Sequence, residues 1–107
     1  MLPVFNSYGE AGATVILTST DAAQALSTVV LTSGGKACRA AMITIETNDV
    51  KFAFGGTTVI QGAGNLGHLF KKALPPEFLL GTYMLSTLSF ISAESGAHGK
   101  IILTPFY

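Results

Sequence analysis

The chain has 107 residues, six basic and six acidic, with a formal net charge of zero and 11% charged residues, against roughly 25% in an average soluble domain. Its hydrophobic fraction of 49% excludes a disordered chain, which needs low hydrophobicity and high net charge. Six scattered cations form no basic stripe, so no nucleic-acid partner is expected, and a single cysteine, Cys38, excludes a disulfide scaffold.

The length is that of one domain, 1–107. The first residues lack a basic n-region and a long apolar stretch, so no secretory signal is read there. The longest apolar, charge-free stretch lies between Glu77 and Glu94. It is shorter than the ~20 residues of a membrane helix, and no membrane partner is expected. Twenty-five residues are β-branched and twelve are glycine, a composition that favours short strands joined by tight turns.

Residues 1–10 read as an N-terminal arm, with Pro3, Asn6 and Gly9 discouraging regular structure. Residues 13–18 (ATVILT) read as a strand. Residues 19–26 have room for one helical turn capped by Thr20 or Asp21. Residues 28–32 (TVVLT) read as a second strand, stopped by Gly34-Gly35. Ala41, Ile43 and Ile45 alternate with Met42, Thr44 and Glu46. Val50, Phe52 and Phe54 then alternate with Lys51 and Ala53 after Thr47-Asn48-Asp49, which predicts a hairpin with one apolar and one mixed face.

Residues 57–61 read as a short strand and 62–67 as a Gly-rich loop. Residues 78–85 and 87–92 read as a strand pair or one bent strand, and 100–104 as the last strand after a turn flanked by Gly96 and Gly99. The sum is an all-β antiparallel sandwich or jelly-roll-like domain of seven or eight strands. Its predicted core holds Val15, Leu17, Val29, Leu31, Ile43, Ile45, Val50, Phe52, Phe54, Leu88, Phe90, Ile101 and Leu103.

Candidate chemistry is sparse. Gly62-Ala-Gly64-Asn-Leu-Gly67 matches the G-x-G-x-x-G of dinucleotide sites, follows TTVIQ, and precedes HLFKKAL, a candidate helix. Pro75-Pro76 cuts that helix at about two turns, and no acid stands ~20 residues on, so no cofactor is expected. His68, His98 and Cys38 lack metal-ligand spacing, and no metal is expected. Lys36 and Arg39 flank Cys38 and would lower its pKa, while its place at a strand entrance suits a half-buried small apolar residue. The carboxylates show no catalytic pairing, so no enzyme is expected. The phenylalanines have no cations between them and read as core.

From Arg39 onward the order of elements is similar to a family. Residues 39–57 (RAAMITIETNDVKFAFGGT), the step Gly67-His68-Leu69, then FLLGTYML, LSFIS and IILTPFY resemble small tailed-bacteriophage virion structural proteins over about two-thirds of the chain. The family's Pro-Thr step after the glycine is replaced here by Thr58-Val59. The resemblance implies a β-sandwich that acts as a capsid decoration (cement) protein, with a head-to-tail connector or tail component as the alternative. Its implied place is the virion, assembled in the host cytoplasm. The implied partners are further copies of itself and the major capsid protein or another virion protein.

The composition is compatible with this. Few charges and apolar ends suit a domain covered by other chains, and Leu2, Val4, Phe5, Phe106 and Tyr107 are the candidate partner-binding residues. An alternative of another class is a carbohydrate- or peptide-binding module using loops 55–67 and 92–99.

Overall fold

The computed structural model describes residues 9–107. In chain order these form β1 (Val15–Thr18), α1 (Thr28–Leu31), β2 (Thr32–Ser33), β3 (Lys36–Ala37), β4 (Ala40–Glu46), β5 (Val50–Ala53), β6 (His68–Phe70), β7 (Glu77–Leu80), α2 (Thr82–Thr87), β8 (Ser89–Ser92) and β9 (Lys100–Phe106). All strand pairs are antiparallel. They make a four-stranded sheet of order β1-β9-β4-β7, a three-stranded sheet β6-β5-β8, and a small β2-β3 hairpin. The domain is all-β and sandwich-like, as expected, with nine described strands, two of them only two residues long.

Alternation sets the inner faces. Ala41, Ile43 and Ile45 of β4 lie buried beside Ile101 and Leu103 of β9, in a register that pairs Ile43 with Leu103 and Ile45 with Ile101. Val50 and Phe52 of β5 and Phe90 of β8 complete the cluster from the small sheet. The Phe52 ring lies 4.7 Å from Phe70 and 6.0 Å from Phe90, within the range of favourable aromatic pairs. Leu85 and Leu88 close the core from α2 and its C-cap.

A second, smaller cluster of Ala53, Val59 and Ile91 lies apart from this core. In β5, Lys51 and Ala53 alternate with Val50 and Phe52, and all four are buried. Both faces of the strand are therefore covered, the one carrying Lys51 by the 55–67 loop.

Several expectations from the sequence are corrected. The hairpin over 41–54 does not form, because β4 pairs with β7 and β9 while β5 pairs with β6 and β8. The Thr47-Asn48-Asp49 connection is a corner between sheets, with Thr47 at φ 76°. TVVLT folds as the one-turn α1 running into β2, which buries Val30 and leaves Val29 82% exposed. Val29 is therefore surface, not core. The hairpin that follows turns through Gly34 and Gly35 at φ 56° and 79°, the paired left-handed residues of a tight two-residue turn.

Residues 19–26 are not helical. Gln24 instead bridges Phe90 along the outer edge of β8. Residues 57–61 are irregular. The stretch 78–92 is neither a strand pair nor one strand, since β7 and β8 belong to different sheets with α2 between them. Of the other predicted core residues, Val15, Leu17, Leu31 and Phe54 are half-buried and pack against the cluster from its margin, and the remaining eight are buried.

Pro105 stands inside β9, between two neighbours, although proline cannot donate to a ladder. A one-residue offset accommodates it. Val15 pairs with Leu103, but Ala11 bridges Phe106, so the N-terminal side carries one extra residue, a bulge between 11 and 15. The Gly12 N–H still reaches the Pro105 carbonyl at 2.7 Å.

Candidate functional site

The Gly-rich loop was the sharpest motif in the sequence, and its geometry rests on Lys51. In register, Lys51 stands between Leu69 of β6 and Ile91 of β8, on the sheet face that the loop covers. It is 4% exposed, and its Nζ donates to the carbonyls of Gly62 (2.8 Å) and Asn65 (2.7 Å). A buried ammonium is costly unless it is hydrogen-bonded, and the loop supplies those acceptors.

Two of the loop amides are also engaged, Gly62 N–H with Ala93 O and Asn65 N–H with Gly62 O. Gly62, Gly64 and Gly67 have φ of 102°, 77° and 139°. At Gly67 an added Cβ would lie 2.7 Å from Val59 Cγ2 and 3.2 Å from Lys51 Cε. The glycines thus answer to turn conformation and close packing. After Gly67 the chain enters β6, not the helix expected of HLFKKAL, because His68–Phe70 pairs with β5. The strand-to-helix junction of a dinucleotide site is not formed.

Loops 55–67 and 92–99, named separately from sequence, meet here. Gln61 Nε2 donates to Ser92 O, and a groove of about 350 Å³ runs between Asp49, Lys51, Asn65, Leu69 and Glu94. His68 is exposed at the start of β6, with its ring 6.0 Å from Phe54.

His98 belongs to a polar chain. Its Nδ1 lies 2.9 Å from Ser92 Oγ, which lies 2.8 Å from Ser19 Oγ, and the Gly99 N–H donates to Ser19 Oγ at 2.8 Å. Both serines are fully buried, so Ser92 is out of reach of a substrate and the chain acts as a latch between the segment after β1 and the 92–99 turn. Asp21 adds to the latch, accepting from Gln61 Nε2 at 2.9 Å and from the Gly96 N–H at 3.0 Å. These two bonds, Gln61 first, hold its carboxyl below the ordinary value of 3.8. Desolvation acts the other way, and the neighbouring His98 adds a small lowering.

Cys38 is 1% exposed, and its thiol donates to the Ala40 carbonyl. Burial pushes its pKa up, against weaker lowering by hydrogen bonds with the Phe106 and Ala40 backbone. The lowering that Lys36 and Arg39 could supply does not prevail, since the Lys36 side chain is exposed and Arg39 donates to the Tyr107 carbonyl while the thiol is buried. Among the described residues no three metal-ligating side chains come together.

Of the candidate partner-binding residues, Leu2, Val4 and Phe5 lie outside the described residues. Phe106 and Tyr107 are used inside the fold. Phe106 is 4% exposed with its ring 5.9 Å from Phe78. The Tyr107 backbone exchanges two hydrogen bonds with Glu10, its carbonyl accepts from Arg39, and its hydroxyl donates to Val30 O. Burial first, and nearby Cys38 second, raise the Tyr107 pKa. A C-terminal strand between two neighbours has no free edge at its end, which the sequence alone does not reveal.

Several large apolar side chains are exposed on the described surface. Ile16, Phe78 and Leu80 lie on the outer side of the large sheet, and Tyr83 stands out from α2. No family model, curated protein or solved structure matches the chain.

Proposed function

We propose that this chain is a non-enzymatic structural protein of a tailed-phage virion, a capsid decoration protein that self-associates and stabilises the head through protein–protein contacts. The observation that carries it is the surface. Among the described residues, nine large apolar side chains are between 37% and 82% exposed on a chain with 11% charged residues, a surface suited to cover by other chains rather than to water. The resemblance from Arg39 onward supports the same reading. Heads assembled without the chain, mixed with the purified protein and sedimented, provide the test. Saturable co-sedimentation and a higher temperature of head disruption are expected. No binding to heads overturns the decoration role, and binding confined to tails or to the head–tail junction replaces it with the connector or tail reading.

A second reading, a carbohydrate- or peptide-binding module, is favoured by one observation, the meeting of loops 55–67 and 92–99 around the groove beside Lys51. A glycan and peptide array distinguishes it, a specific ligand without particle binding being its signature.

A further inference from the structure

The edges of the two sheets are not guarded alike. The outer edge of β8 is occupied by Gln24, which exchanges two backbone bonds with Phe90 (2.9 and 2.8 Å), and by the Thr20 carbonyl, which accepts from Ser92 N–H. The β7 edge opens with Pro75-Pro76-Glu77, and β6 runs into Lys71-Lys72. Proline and charge are common means of preventing strand addition. The β1 edge has neither. Residues 13–18 read ATVILT, with no charge, proline or glycine; no described strand lies beyond β1; and Ile16 is 64% exposed.

The ladder shows what this edge offers. The Ser19 N–H donates to Gly99 O at 2.9 Å, which marks that pair as hydrogen-bonded. Antiparallel ladders alternate, so Leu17 and Val15 bond to β9, opposite Ile101 and Leu103. The N–H and C=O of Ile16 and Thr18, and one step back those of Thr14, then point away from the sheet. Val15 and Leu17 face the core yet are only half-buried, as suits a sheet edge beyond which no described strand lies.

We propose that β1 pairs antiparallel with β1 of a second copy of this chain, about a two-fold axis at Ile16, joining two four-stranded sheets into one of eight strands. The strand is its own complement in that register. Ile16 meets the second copy's Ile16, Thr14 meets its Thr18, and Val15 meets its Leu17. Outward-pointing backbone groups face each other at every second position, and no charge opposes its like. Cross-strand Thr–Thr and aliphatic pairs are favourable, and the same patch serves both copies, as a two-fold contact requires. A shift by two residues keeps the faces but leaves a Thr14 or a Thr18 without its counterpart. The inference deepens the self-association in the proposed function and does not depend on the virion.

The test uses the purified full chain. Sedimentation velocity should show a dimer or a higher even-numbered species. Ile16→Lys, which places two ammonium groups at the axis, should give half that mass with an unchanged far-UV spectrum, since Ile16 is exposed in the single copy. Hydrogen-bonded antiparallel pairs hold Cα atoms about 5.5 Å apart, within disulfide range. Ile16→Cys should therefore cross-link under mild oxidation at least about tenfold faster than Ser33→Cys on the exposed β2-β3 hairpin, with Cys38 buried in both. A monomeric or odd-numbered wild type, an Ile16→Lys protein of unchanged mass, or equal cross-linking of the two cysteine variants overturns the pairing. Head binding by the Ile16→Lys protein reads the virion assignment separately.

Discussion

Lys51 ties its loop through two carbonyl contacts, to Gly62 and Asn65. Lys51→Met keeps the apolar stem and removes two charge-assisted bonds, to Gly62 and Asn65. Bonds of this kind contribute roughly 1.5–3 kcal/mol each when buried, and rehydration of the freed loop recovers part of that. The expected loss is about 2 kcal/mol in urea denaturation with an unchanged m-value, together with faster proteolytic cleavage within 62–67. An unchanged midpoint would show that the loop holds itself. Alternation in the sequence placed Lys51 on the mixed face. What it did not show is that a loop beginning four residues later folds back over that face, a long-range event without a local signal. The glycines of the loop were legible as glycines needed for a turn, although their spacing also matches a phosphate-binding pattern.

Asp21 supplies a pH dependence of known sign. Its carboxyl is held below 3.8 by Gln61 and the Gly96 amide, so its contribution to stability is present above that value and is lost as the pH falls through the lower folded value. Thermal melts should show a steeper loss of stability below about pH 4 for the wild type than for Asp21→Asn. Parallel acid limbs would remove Asp21 from the latch.

At the scale of elements, strands with strict alternation were legible. Those around Ile43, Phe52 and Ile101 stand where the pattern placed them, while their partners do not, because alternation fixes which side faces the core and not which strand lies alongside. A three-residue connection serves a hairpin or a corner equally well, and it is a corner here because β4 pairs with β7 and β9 while β5 pairs with β6 and β8. The opposite failure is 28–32, whose β-branched residues read as strand while tertiary contacts fold the first four into α1. The two assignments bury opposite valines, which makes them separable. Val29→Lys should leave stability within about 0.5 kcal/mol, as surface changes do. Val30→Ala should cost roughly 1–3 kcal/mol as a core truncation. Reversed magnitudes in equilibrium unfolding would restore the strand.

For the whole molecule, the termini are where the proposed partner contacts can be tested. The sequence offered two apolar ends for partner contact, and the C-terminal one is spent internally, with Phe106 buried and Tyr107 bonded to Glu10, Arg39 and Val30. That leaves the N-terminal candidates Leu2, Val4 and Phe5, which lie outside the described residues. The contacts of the described chain with its own C-terminal strand begin at Gly9 and Glu10, so deleting residues 1–8 preserves the backbone pair between Glu10 and Tyr107 and every strand of both sheets. Each large side chain fully buried against a neighbour contributes roughly 1.5–3 kcal/mol, so removing three of them should weaken head attachment by well over tenfold. The far-UV spectrum should stay the same, as should the mass of any β1-paired species, since that contact uses none of the deleted residues. Undiminished head binding by the truncated chain would show that the arm carries no partner contact. Loss of the folded spectrum would instead assign residues 1–8 to the chain's own core, and the remaining exposed side chains of the large sheet would then be the surface left for a partner.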